Sequence, residues 1–151
     1  MKRLLTGLFL APLWLPIAAA IYAALFWSPP NFIGDFDRES WIEMAALTGA
    51  LLGFFAIFAV GLPVHIILRR RNYRSLGAYV TTWFALAITV WLVGFIASFA
   101  RDGLIFSLSY LAETIVHRPY VPISFGIVWA VVGATFWVIV RPDRETLSQI
   151  S

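Results

Sequence analysis

Four runs of this chain, Leu4 to Trp27, Met44 to Leu68, Leu76 to Ala100 and Val121 to Val140, contain no Asp, Glu, Lys or Arg. Each holds 20 to 25 residues, and a helix rising about 1.5 Å per residue needs roughly 20 of them to cross a hydrocarbon core about 30 Å thick. The expected fold is an all-α integral membrane protein: one membrane domain over residues 1–151, built as an antiparallel bundle of four transmembrane helices. The connections are too short to hold a soluble domain. Charged residues make up only 13% of the chain, against about 25% in soluble domains, which fits a molecule whose solvent is largely lipid.

Where the charges sit says more than their net value of +3. In a four-span arrangement one face collects Lys2, Arg3, Arg69, Arg70, Arg71, Arg74, Arg141 and Arg144, and the other only Arg38, Arg101 and Arg118. The positive-inside bias puts the first face, with both termini, in the cytoplasm, and the expected address is a bacterial inner membrane. The acids run the other way: Asp35, Asp37, Glu39, Glu43, Asp102 and Glu113 fall outside. Anionic lipid at the cytoplasmic face is the expected partner of the basic side, and nucleic acid is not.

Lys2 and Arg3 ahead of an apolar stretch resemble the start of a secretory signal, but a signal's apolar region spans about 7 to 15 residues. This run continues through Ile21 and Tyr22 to Trp27. Pro12 and Pro16 within it remove backbone donors and predict a bent first helix. The tail from Arg141 to Ser151 is short and polar, and is expected to be loosely ordered.

Packing signals come from small residues. Ala45, Gly49 and Gly53 recur every four residues in the second span, and Gly126 and Ala130 do so in the fourth. Such spacing lets helix backbones approach closely, and van der Waals contact is what holds helices together in lipid.

The densest local pattern is Gly61-Leu-Pro-Val-His65, followed by Arg69, Arg70, Arg71 and Arg74. Gly61 and Pro63 should bend the second helix and leave carbonyls in need of partners. His65 is expected either to donate to such a carbonyl or to reach toward the headgroups; with Glu43 it is a possible polar site within the membrane. Haem or metal at His65 would need a second ligand at the same depth, and the other histidine, His117, is expected on the opposite face. No cofactor is predicted. The arginines are read as a topology signal and as a lipid or anion contact, since juxtamembrane basic residues are drawn to an acidic leaflet.

Between the third and fourth spans, Leu104, Leu108, Leu111 and Ile115 recur at helical spacing against Ser109, Glu113 and His117. This predicts a short amphipathic helix over 104–117, lying on the outer interface. Glu113 and His117 stand one turn apart and are the candidate metal ligands, with Asp35, Asp37, Glu39, Glu43 or Asp102 as third partners. Cysteine is absent, which removes disulfides and thiolate chemistry.

Three functional classes follow. A non-enzymatic accessory or assembly subunit of a larger membrane complex fits the lean loops and small-residue faces best. The alternatives are a small-solute channel or transporter working as a homo-oligomer, and a membrane enzyme or metal site at the outer interface. No catalytic residue is assigned, and an enzyme is the less favoured class.

Overall fold

A computed structural model of the protein describes residues 2–25, 37–99 and 103–140, and these are helical with short turns between. Among the described residues four helices are long and apolar enough to cross a membrane: Lys2–Leu25, Arg38–Arg70, Leu76–Ser98 and Tyr120–Val140. A fifth, shorter apolar helix occupies Leu104–His117. The first connection, as far as Phe36, and the tail from Arg141 lie outside the described residues.

The first span divides into α1 (Lys2–Leu10) and α2 (Trp14–Leu25), joined by a 3₁₀ turn over Ala11–Leu13. Pro12 sits in that turn, where its missing N–H is tolerated because the tighter hydrogen-bond pattern rearranges the ladder. The second span is α3 (Arg38–Ala56), a π-turn (Ile57–Gly61) and α4 (Leu62–Arg70). Its start lies six residues before Met44 because the carboxylate of Asp37 accepts from Ser40 N at 2.8 Å and caps the helix. A cap works through backbone geometry and does not require the first turns to be apolar, so Arg38, Glu39 and Glu43 join the helix.

The π-turn answers Pro63. A proline ring clashes with the carbonyl four residues earlier, and inserting one residue into the ladder relieves that clash. Leu62 N–H then bonds Ile57 O, five residues back. Helix α4 ends in a Schellman turn: Tyr73 N–H reaches Leu68 O at 2.9 Å and Asn72 N–H reaches Arg69 O at 3.1 Å. Asn72 supplies the left-handed residue this turn requires, with φ of 60°.

The third span is α5 (Leu76–Ser98), the interhelical segment α6 (Leu104–His117) and the fourth span α7 (Tyr120–Val140). Ser75 caps α5 by accepting from Ala78 N at 3.2 Å. Gly103, at φ of 99°, lets the chain turn into α6 where a side chain would be strained. Helix α6 folds back on the end of α5 through Phe95, Phe99 and Tyr110, whose rings lie 5.0 to 5.6 Å apart. Ser107 is buried there and donates to Phe99 O at 2.9 Å. Leu104, Leu108 and Ile115 are exposed, as are Ile105 and Val116, so α6 is apolar over more of its circumference than its sequence stripe implies.

The helices pair α5 with α7, α2 with α3, and α1 with α7. The core gathers where α1, α4, α5 and α7 meet, around Leu8, Ile57, Tyr79, Trp83, Val132 and Phe136. Glycines fit the helices together. A Cβ on Gly49 would meet Ala19 Cβ at 2.9 Å, one on Gly53 would meet Leu15 Cβ at 3.2 Å, and one on Gly126 would meet Phe84 at 2.5 Å. Ala45 and Ala130 are half-buried on the same helices.

Asp37 carries a pH consequence. Hydrogen bonds from the Ser40 side chain first, and then from its backbone, hold the carboxyl below the usual carboxylate range. A depressed folded-state value favours the folded helix start above the ordinary carboxyl range, and that support is lost as pH falls through the depressed value. Protection of the Ser40 amide against hydrogen exchange, taken as the intrinsic rate over the observed rate at each pH, should therefore fall on acidification, and Asp37→Asn should flatten that dependence while leaving a weaker cap.

Candidate functional site

The polar centre of the molecule is a histidine and tyrosine pair inside the core. His65 lies one turn into α4, after the π-turn has reset the helix phase, and is 4% exposed; Tyr79, one turn into α5, is fully buried. His65 Nδ1 and Tyr79 Oη are 2.7 Å apart. The Phe136 ring packs edge-on to the imidazole at 5.2 Å and stacks on the Tyr79 ring at 6.4 Å. His65, expected to bond a carbonyl or to reach the headgroups, has a side-chain partner on the next long helix. Sequence reasoning missed Tyr79, because an aromatic near a helix end reads as an interface residue.

One turn deeper, Trp83 is held in a slot. Its ring stacks on Trp129 at 5.7 Å and 8°. A Cβ on Gly61 would lie 2.5 Å from Trp83 Cη2, and one on Gly133 would lie 2.5 Å from Trp83 Cδ1. Among the described residues neither Trp83 Nε1 nor Trp129 Nε1 has a hydrogen-bond partner. Two other indoles are satisfied: Trp137 donates to Arg74 O at 2.8 Å and Trp14 to Thr135 Oγ1 at 3.0 Å.

Above the pair opens a cleft of about 540 Å³. Leu4, Leu62 and Ile66 form its apolar wall, His65 its base, and Arg69, Arg70 and Arg74 with Asn72 its rim. The Schellman turn brings Arg74 back toward the last turn of α4, where its Nη2 donates to Asn72 Oδ1 at 3.3 Å. Arg71 is exposed and does not line the cleft. The four arginines of one run are thereby sorted into three that line the cleft and one that does not.

The Glu113 and His117 candidates are arranged differently. His117 Nδ1–H donates to the backbone carbonyl of Glu113 at 3.0 Å, so the carboxylate does not take this bond. Both residues are exposed. Among the described residues no three His, Asp or Glu side chains gather in a way that could hold a metal ion; Asp35 and Asp102 lie outside them. Glu43 is exposed on α3, 22 residues before His65 along the same span, or about 33 Å of helix axis. Glu43 and His65 therefore do not form one site.

No family model, curated protein or solved structure matches the chain. Its functional reading rests on its own geometry.

Helix α5 has a second face that no other element covers among the described residues. Gly77, Thr81, Ala85, Thr89, Val93 and Ala97 recur every four residues and are all exposed. A Cβ on Gly77 or Gly94 would meet nothing within 4 Å. Thr81 and Thr89 donate to their own helix at Gly77 O and Ala85 O, at 2.8 and 2.9 Å, so the stripe presents methyl groups and bare backbone.

Proposed function

We propose that this chain is a non-enzymatic subunit of a larger assembly in a bacterial inner membrane, with four antiparallel spans, both termini cytoplasmic and α6 on the outer interface. The antiparallel arrangement is supported by contacts that climb one helix as they descend its neighbour. Phe9 meets Phe58, and Gly53 and Gly49 meet Leu15 and Ala19 in turn; Tyr79 meets Phe136, Trp83 meets Trp129, and Phe84 lies at Gly126.

The observation that carries the subunit reading is the exposed α5 stripe. Lipid makes no demand for small side chains, and large apolar ones fill the space between acyl chains better. Six small or β-branched residues in register over about 30 Å of helix instead match what a closely packed partner span needs. The third span is also the least covered of the four within the chain.

Native mass spectrometry after gentle extraction from the source membrane tests this directly. Stoichiometric foreign subunits are expected, and the absence of any companion would remove the subunit reading. Because the chain has no cysteine, single cysteines at Ala85 or Thr89 give clean cross-links: they should trap the foreign subunit, while one at Ile105 on α6 should not. Ala85→Leu should abolish co-purification with little effect on the folding of the isolated chain. Self-cross-linking alone would point to a homo-oligomer and favour solute transport. Orientation is read separately, by impermeant labelling of a cysteine at Asn72, which should be blocked from the outer side.

A further inference from the structure

We propose that the cleft between α1, α4 and the following turn binds the phosphate group of an acidic amphiphile, with its hydrocarbon chain running along Leu4, Leu62 and Ile66. Three observations carry this. Arg69, Arg70 and Arg74 all line it although Arg74 lies beyond the turn, and guanidinium groups match phosphate oxygens with paired donors. The rest of the lining includes Leu4, Leu62 and Ile66, and Ile66 is itself 42% exposed, so the apolar part of the lining continues onto the outer surface of the helices. The turn itself is held in place: Asn72 adopts the left-handed conformation, bonds the Arg74 guanidinium, and is backed by Trp137 on the Arg74 carbonyl.

A purely basic surface would attract any anion by its summed charge, each arginine counting about equally. This cleft treats the arginines unequally, because Arg71 stands outside it. A small soluble phosphate would satisfy the rim and leave the apolar wall wet, whereas an amphiphile covers both. The inference rests on the membrane reading above and is independent of the α5 interface.

The test uses the full chain in phosphatidylcholine nanodiscs, with phosphatidylglycerol titrated in and bound lipid counted by native mass spectrometry. Wild-type protein should retain phosphatidylglycerol in preference to phosphatidylcholine; incorporation without that preference would overturn the inference, and failure to incorporate at all would instead overturn the membrane reading. Two variants of equal charge are then compared, Arg70→Gln with Arg74→Gln, and Arg71→Gln with Lys2→Gln. Summed charge alone predicts equal losses, about 25-fold in each pair at roughly fivefold per cation. The cleft predicts that the first pair loses at least about tenfold more affinity than the second, since it also removes paired hydrogen bonds. Equal losses would reduce the site to a delocalised basic surface and overturn the proposal. Inorganic phosphate and glycerol phosphate form the last arm: neither should displace the lipid, and displacement by either at comparable affinity would show a soluble phosphate site in place of an amphiphile site.

Discussion

Gly133→Ala is expected to unseat Trp83 and to lower stability by about 1–3 kcal/mol, the usual cost of forcing one methyl into a filled interior. The new Cβ would lie 2.5 to 2.9 Å from Cδ1, Cγ and Cβ of Trp83. These atoms sit at the root of the side chain, so a small rotation of the ring cannot clear them. Retreat is blocked on two other sides, by Trp129 stacked at 5.7 Å and by Gly61 against Cη2. Either α5 moves away from α7 or Trp83 leaves its rotamer, and both disturb the most extensive helix pairing in the molecule.

Gly61→Ala should cost less, because its nearest clash is with the far tip of the ring and not with its root. Gly94→Ala is the control, since its Cβ would meet nothing within 4 Å. Unfolding in detergent, followed by near-ultraviolet circular dichroism of the stacked indoles, ranks the three. A Gly133→Ala protein as stable as Gly94→Ala would show that Trp83 is not confined as described.

Breaking the buried pair should have the second large effect. Tyr79→Phe removes only the hydroxyl that lies 2.7 Å from His65 Nδ1 and leaves the ring packing on Phe136 intact. A buried polar group that loses a partner costs about 1–3 kcal/mol in most proteins. Hydrogen bonds between membrane helices couple more weakly, at about 0.6 kcal/mol on average and up to about 1.7. His65 and Tyr79 are both almost fully buried, which places this pair toward the upper end, and a coupling of about 1 kcal/mol is expected. His65→Ala should cost more, about 2–4 kcal/mol, because it adds a cavity beneath Phe136. The double-mutant cycle separates the two contributions. A coupling near zero with both singles destabilised would mean that the pair is held by ring packing alone.

Much of the fold could be read from the chain because its governing signals are local. Length and the absence of charge mark the four long helices, since the cost of placing charge in lipid falls on each segment separately. The periodicity over 104–117 marks α6, and Pro12 and Pro63 mark the two irregular turns, because a missing N–H must be accommodated within a few residues of the proline. The helix at Arg38 begins six residues before the charge-free run that opens at Met44 for the converse reason: hydropathy finds the apolar stretch, whereas a side-chain cap at Asp37 decides where the helix begins.

The candidate sites were less legible, because they depend on which faces meet. His65 was visible as an unusual residue in an apolar run, but its partner lies on the next span and was set by the phase shift at Ile57–Gly61. The arginine run was visible as charge, yet nothing in its order distinguishes Arg71 from Arg70; the Schellman turn does so by reversing the chain at Asn72. The stripe on α5 could be counted in the sequence, but its meaning depends on its being left uncovered while the opposite face, with Tyr79, Trp83 and Ala87, is buried.

What the amino-acid sequence determined by itself was the four long apolar helices, the cluster of arginines that follows the second of them, and the places where prolines interrupt the ladder. Each of these follows from transfer energies and backbone hydrogen bonding, which act residue by residue. Only the tertiary structure decided that a histidine answers a tyrosine, that two glycines make room for one tryptophan, and that three of four arginines share a rim. Those outcomes depend on the rotation of each helix about its axis, and that angle is settled by close packing between surfaces distant in the chain.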